Sequence, residues 1–174
     1  MSTIDPRRLR DACGHFGTGV TVVTTHCDGV DHGMTVNAFM SISLEPPLIA
    51  VSIAETARML SRIRKSGRFA VSVLAETMDE IAWHFAGKTN PKFTDLLETV
   101  EGLPVIRDAV AVFVADVVQD VVAGDHTIFV GRVRSLAMGE GKKPLLFFKG
   151  KFGGLAATEP APVDFLELDR ELIW

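Results

Sequence analysis

Three segments of the chain carry side chains whose types and spacing suit a bound small molecule. In Gly33-Met34-Thr35-Val36-Asn37-Ala38-Phe39-Met40-Ser41-Ile42-Ser43-Leu44-Glu45-Pro46-Pro47, a hydroxyl at Thr35 and an amide at Asn37 lie two residues apart, and Ser41 and Ser43 repeat the spacing. Alternate residues of a regular strand share a face, so these groups would form one polar row among apolar neighbours. Such a slot suits a planar heteroaromatic ligand, which takes apolar contact on its faces and a few hydrogen bonds at its edge. An exposed strand face running into a proline turn has the same pattern.

The second segment, Ser52-Ile53-Ala54-Glu55-Thr56-Ala57-Arg58-Met59-Leu60, passes from strand to helix character. Free N–H groups at a helix start bind phosphate, and the hydroxyls of Ser52 and Thr56 with the guanidinium of Arg58 would complete such a site. Thr56 as an N-cap and Arg58 as a solvated side chain are the simpler alternative. The third segment, Gly124-Asp125-His126, reads as a turn between two β-rich runs and offers an imidazole, either as a surface group or as a ligand contact. No Gly-x-Gly-x-x-Gly, P-loop or Gly-x-Ser-x-Gly sequence occurs, so a Rossmann site or a nucleophile elbow is not supported. The two cysteines, Cys13 and Cys27, form no Cys-x-x-Cys pair, which argues against a disulfide framework and against a metal site.

The elements that must position these groups are mostly strands. Asp5-Pro6 followed by Leu9, Ala12, Cys13 and Phe16 predicts a short amphipathic helix over Asp5 to Phe16. Val20 to Thr25, the turn Asp28-Gly29 and Asp31 to Val36 read as a β-hairpin. Pro47 to Ile53 and Arg68 to Leu74 have strand character, and Ala54 to Ser66 reads as a helix closed by Gly67. Asp79 to Phe85 reads as a helix and Lys88 to Thr99 as a loop with a helical turn, after which Gly102-Leu103-Pro104 opens a second β-rich half. Val110 to Val121, His126 to Leu136 and Leu145 to Phe148 are expected to complete an antiparallel sheet. Six or more short strands with two or three helices favour a closed or split barrel over a parallel doubly wound sheet.

With 174 residues, 47% hydrophobic and 23% charged, the chain can bury a core without disulfides or metal, and one domain over residues 1–174 is expected. The barrel should cover about 10–155 and a tail with an acidic segment about 156–174. A net charge of −4 with scattered cations, apart from Arg62, Arg64, Lys65 and Arg68, speaks against nucleic acid as a partner. The apolar runs, such as Pro47 to Ile53 and Val110 to Val118, fall short of the ~20 residues that cross a bilayer, so no membrane partner is expected. The polar Met1 to Arg10 carries no export signal, so the expectation is a cytoplasmic protein.

In order, Phe16-Gly17-Thr18-Gly19-Val20-Thr21-Val22-Val23-Thr24, Thr35 to Pro47, Ser66-Gly67-Arg68-Phe69-Ala70-Val71-Ser72-Val73-Leu74, Phe85-Ala86-Gly87-Lys88, Gly124 to Val133 and Pro144-Leu145-Leu146-Phe147-Phe148-Lys149-Gly150 resemble the short-chain flavin reductases. These are the reductase components of two-component flavin-dependent monooxygenases, and the likeness covers about nine tenths of the chain. It implies a mainly β fold with a few helices, a split β-barrel of the FMN-binding type, homodimeric, with flavin at or near the subunit interface. It implies NADH-dependent reduction of FAD or FMN, with NADPH left open, and delivery of reduced flavin to a partner monooxygenase.

By the same resemblance Thr35, Val36, Asn37, Ala38, Phe39, Met40, Ser41 and Ser43 hold the isoalloxazine and ribityl chain, and Ser52, Ile53, Ala54, Thr56 and Arg58 face the phosphates. Phe85, Ala86 and Lys88 would cover the adenine of FAD, His126 would stand beside the nicotinamide as the catalytic residue, and Lys149, Lys151, Phe152 and Gly153 would enclose the nicotinamide nucleotide. Relatives usually carry tyrosine in that last motif, whereas this chain has no tyrosine and offers Phe148 and Phe152. Phenylalanine keeps the stacking face and loses the hydroxyl. A split-barrel protein that binds flavin or haem without turnover is the alternative that the fold also permits.

Overall fold

In the computed structural model, which describes residues 4–156, Asp5 caps α1 (Pro6–Cys13) by accepting the Arg7 N–H at 2.8 Å, with proline at the first helical position. β1 (Thr18–Gly19) leads into β2 (Thr21–Cys27), and Asp28 and Gly29, at φ of 54° and 76°, turn the chain into β3 (Val30–Val36). Two positive φ values in a two-residue loop match the twist of a hairpin. β4 (Phe39–Leu44) and β5 (Pro47–Ala54) follow, then α2 (Arg58–Ser66), closed by Gly67 in the left-handed conformation at φ 68°, and β6 (Arg68–Val73). α3 (Asp79–Phe85), β7 (Leu97–Val100), β8 (Leu103–Ile106), β9 (Ala111–Ala123), β10 (His126–Met138), β11 (Leu146–Phe148) and β12 (Lys151–Gly153) complete the described residues.

Seven strands form an antiparallel sheet in the order β3-β2-β6-β9-β10-β5-β4. β3 and β4 stand at opposite edges of that order, yet only Asn37 and Ala38 separate them in the chain. Three Cα steps of 3.8 Å span at most roughly 11 Å, so the two edges must converge at this corner and the sheet must roll up. β3 and β4 do not pair with each other, so the seam stays open and the barrel is split.

The rolled sheet separates two cores. Inside it, Val23, Val51, Ile53, Phe69, Val71, Ala115 and Phe129 pack with Met59, Leu60 and Ile63 of α2, which plugs one end. Gly131 of β10 makes room for this filling, because a Cβ there would lie 2.6 Å from the Phe69 ring and 2.8 Å from the Ala115 methyl. On the opposite face of β2, β6 and β9, Val22, Ala70, Val112 and Val114 pack with Ala82 of α3 and with Leu103, Val105 and Ile106 of β8.

The structure corrects four expectations. The run from Thr35 to Ser43 is not one regular strand: it breaks at Asn37-Ala38, and the register shift between Ser41 and Ser43 leaves Ile42 as an extra residue. α2 begins at Arg58 and not at Ala54, because Ala54 still pairs with His126 in the sheet and Ala57, not Thr56, is the N-cap. Residues 97–106 form a hairpin, with Glu101 and Gly102 at φ 50° and 79°, where a loop was expected up to Thr99. Finally, β11 joins β1 and β12 in a separate small sheet, so it does not complete the main one. Most of the acidic tail expected at about 156–174 lies outside the described residues.

Candidate functional site

At the corner between β3 and β4 the chain passes from one edge of the sheet to the other through Asn37 and Ala38. The Ser52 N–H donates to the Ala38 carbonyl at 3.1 Å and ties the corner to β5. Asn37, exposed beside it, faces a cleft of about 720 Å³. The other walls come from the far ends of the sequence: Arg10, Asp11, Cys13, Gly14, His15 and Phe16 at the end of α1, and Phe147, Lys149 and Gly150 from β11 and its turn. The Lys149 N–H donates to the Gly14 carbonyl at 2.9 Å and holds these two walls together. Lys149 itself sits at φ 48°, which the turn into Gly150 imposes.

On the other side of the corner, Ala38, Ser52 of β5 and Ile128 of β10 lie in a row. His126 stands two residues further along β10, opposite Ala54, which places its Cα roughly 12 Å from that of Ala38 by strand spacing and rise. Its Nδ1 is 2.7 Å from the Asp125 carboxylate, and this contact, through hydrogen bond and charge, holds the Asp125 carboxyl below the usual range. The Glu55 N–H donates to the Asp125 carbonyl at 2.9 Å, so the Gly-Asp-His turn rests on the loop that carries Thr56 and leads to Arg58. Arg58 is exposed at the first residue of α2, a helix end that no side chain caps, and it has no ion-pair partner among the described residues.

The expected site residues divide by where they point. Asn37, Ala38, Met40, Ser41, Thr56 and Arg58 are exposed around the corner and the loop after β5. Val36 and Ile53 are buried in the barrel, and Phe39 packs on Phe113 with ring centroids 5.7 Å apart, so these three support the corner from beneath. The Thr35 hydroxyl donates to the Ala82 carbonyl of α3 at 2.6 Å, so Thr35 fastens α3 and does not share a polar row with Asn37. Ser43, displaced by the bulge at Ile42, falls out of that row as well.

Phe85 lies over Gly33 and packs against the outer core, so its ring is a structural anchor while Ala86 and Lys88 are exposed beyond it. The Lys88 ammonium stands 3.8 Å over the Trp83 ring, Trp83 meets Phe152 at 5.0 Å, and Phe152 meets Phe147 at 5.6 Å. This aromatic row connects the end of α3 to the cleft wall. Lys149, Lys151, Phe152 and Gly153 line a second, adjoining cleft of about 410 Å³ with Leu146, Phe148 and Gly154. Sequence reasoning missed Arg10, His15, Phe16, Phe147 and Trp83. The local signals were Phe16, at the head of the Phe16-Gly17-Thr18-Gly19 motif, and Phe147, within the Pro144 to Gly150 motif.

This cleft fits a flavin. Phe16 and Phe147 supply apolar faces, Asn37 an amide edge, and Arg10 and Lys149 positive charge. The Thr18 hydroxyl, on the strand residue paired with Phe147, is buried without a partner among the described residues, a state that costs roughly 1–3 kcal/mol. Among the described residues no group of three His, Cys, Asp or Glu side chains could hold a metal, and no helix is long and apolar enough to cross a membrane.

A split barrel whose open corner faces an aromatic, cation-rimmed cleft defines a class of proteins that hold a planar nucleotide cofactor on a β scaffold. Residues 13–156 match the family model of the flavin reductase like domain. The chain is 38% identical over 163 residues to the reductase subunit of a flavin-dependent monooxygenase from Rhodococcus jostii, covering 91% of this chain and 84% of that one. Among solved structures, flavin reductase PheA2 in its native state superposes with a TM-score of 0.83 at 48% identity, over 88% of this chain and 99% of that one. An NADH:FAD oxidoreductase of Streptomyces globisporus, in complex with NAD and FAD fragments, does so with a TM-score of 0.82 at 36% identity, over 90% of this chain and 98% of that one. The chain belongs to the flavin reductase family, and it is an oxidoreductase of that family.

Proposed function

We propose that this chain takes hydride from NADH onto FAD and supplies the reduced flavin to a separate oxygenase, and that it works as a homodimer. The observation that carries the reading is the cleft at the Asn37-Ala38 corner, with aromatic walls and a cationic rim. FAD is favoured over FMN because the row Phe147, Phe152, Trp83 leads from that cleft to the exposed end of α3, where an adenine would find a stacking surface. The NADH:FAD oxidoreductase that resembles this chain supports the same choice.

When bound, the flavin supplies the chemistry, accepting hydride at N5 from C4 of the dihydronicotinamide. The protein's residues then have the tasks of alignment and charge. Asn37 and the Ala38 backbone set the ring edge, and Phe16 and Phe147 exclude water from its faces. Ser52 of β5, with Thr56 and Arg58 at the open N-terminus of α2, holds phosphate. His126, on the turn that rests against this loop, positions the nicotinamide. No general acid or nucleophile is required.

Exposed apolar side chains support the second copy. The sheet face of β2, β6 and β9 is covered by α3 and β8, but on β4, β9 and β10 Met40, Ile42, Leu44, Val118, Val121 and Leu136 are exposed. A second copy covering these exposed residues, of which Met40 and Val121 lie on the outer side of the sheet beside the corner, would place the corner at the interface. The two cores share β2, β6 and β9, which is the reason to read the chain as one domain.

Steady-state oxidation of NADH and of NADPH with added FAD or FMN tests the activity. NADH turnover with FAD above the blank is expected, and tight flavin retention without turnover would instead support the non-catalytic alternative. Sedimentation tests the assembly: a species near twice the 18.9 kDa chain mass is expected at micromolar concentration, and only the monomer would refute it.

A further inference from the structure

His15 lines the cleft and offers it an imidazole. It follows the last turn of α1, and its Nδ1 lies 2.8 Å from the Asp11 carbonyl. A carbonyl oxygen only accepts, so Nδ1 carries the proton and donates, which leaves Nε2 as the nitrogen free to meet a ligand. The ring meets Phe148 edge-on at 6.3 Å, and the neighbouring Gly14 carbonyl accepts the Lys149 N–H. The imidazole is therefore held between α1 and the β11–β12 turn, on the wall of the cleft that also presents Asn37.

The charged groups around it are Arg10 and Asp11 from its own helix and Lys149 from the turn, two cations against one carboxylate. Hydride transfer breaks the C4–H bond of the dihydronicotinamide and forms an N–H bond at flavin N5. The hydride carries one proton and two electrons, so the flavin leaves the step with one added negative charge and the nicotinamide with one added positive charge. A cleft whose rim is already cationic favours the charged product ring over the neutral starting ring.

We propose that His15 is a binding residue of the flavin site that selects the reduced ring: in its protonated form it donates Nδ1–H to Asp11 and Nε2–H into the cleft, against the charge gained with the hydride. This rests on the reading that the cleft takes the flavin ring. The task differs from that of His126, which lies across the corner on the nicotinamide side. It makes the α1 end a third wall of the site beside the corner and the β11–β12 turn.

The test uses the purified full-length protein and measures the dissociation constants of oxidised FAD, by fluorescence quenching, and of FAD reduced with dithionite under anaerobic conditions. For His15→Ala a roughly ten-fold weaker hold on reduced FAD is expected, the scale of one charge-assisted hydrogen bond, with the oxidised affinity within about two-fold. His15→Arg, a permanent cation, should restore the preference for reduced FAD, and the neutral His15→Gln should restore it only in part. Equal losses for both redox forms, or no loss for either while Asn37→Ala weakens both, would overturn the assignment to His15 and leave the cleft reading standing. No effect of Asn37→Ala on either form would overturn the cleft reading and the proposal with it.

Discussion

A methyl group at Gly33 should loosen the protein and do so through one ring. A Cβ built there lies 2.5 and 2.6 Å from two carbons of Phe85 and 3.4 Å from the Thr24 methyl, whereas carbon atoms settle at about 3.5–4.0 Å. The Phe85 ring cannot simply swing aside, because it abuts His84 at 5.0 Å, which in turn abuts Phe93 at 5.5 Å. The helix α3 must therefore shift by about 1 Å, the gap between these distances. Overpacking of this kind costs roughly 1–3 kcal/mol, and loss of the Thr35 bond to the Ala82 carbonyl adds about 0.5–1.5 kcal/mol. At roughly 2–4 °C per kcal/mol for a chain of this size, Gly33→Ala should lower Tm by roughly 3 to 18 °C. Calorimetry on Gly33→Ala, Phe85→Leu and the double variant checks the cause. The double variant should be more stable than the sum of the single losses implies, by about 1 kcal/mol or more. Because Ala86 and Lys88 directly follow α3, Gly33→Ala should also weaken FAD more than FMN. Additive losses, or a Tm unchanged to within about 1 °C, would refute the reasoning.

Arg58→Ala should weaken flavin binding at the phosphate end by a few-fold, towards the lower end of ~1–3 kcal/mol because the side chain is exposed, and equal affinities by titration would make Arg58 a plain surface residue. His126→Ala should leave flavin affinity unchanged while kcat/KM for NADH falls roughly five- to thirty-fold, and a variant that loses flavin instead would move His126 into the flavin pocket. Burial, reinforced by the Arg62 charge, holds His32 below the ordinary histidine value of 6.5. The unfolded chain then binds the proton more readily, so this residue lowers stability as pH falls below 6.5 and has no effect well above it. Denaturation curves across that window should be flatter for His32→Gln, and an unchanged slope would exclude His32 as a contributor.

Several elements were legible because they are local. The Asp5-Pro6 cap, the Asp28-Gly29 turn, the Gly67 stop and the β-branched runs of β2, β5, β6 and β10 act through the φ, ψ and side-chain preferences of neighbouring residues. The ordered motifs likewise pointed to the family and the barrel. The β7–β8 hairpin escaped because its short strands flank Glu101, a non-glycine residue in the left-handed region, which local pattern does not favour.

The sequence alone determined which segments favour strands, which groups could meet a phosphate or a planar ring, and that no nucleophile or dinucleotide fingerprint is present. Only the tertiary structure decided which of those groups face one cleft. Alternation assigned Thr35 and Asn37 to one face on the assumption of a continuous strand, but β3 pairs with β2 and β4 with β5, so the chain must break between them. The Thr35 hydroxyl went to α3, and Asn37 went to the cleft. The α1 end reached the same cleft because Lys149 donates to Gly14, a contact between residues at opposite ends of the described chain. Periodicity specifies a face relative to immediate neighbours. Pairing across the sheet is settled by backbone hydrogen bonds and core filling between distant segments, and no local pattern encodes it.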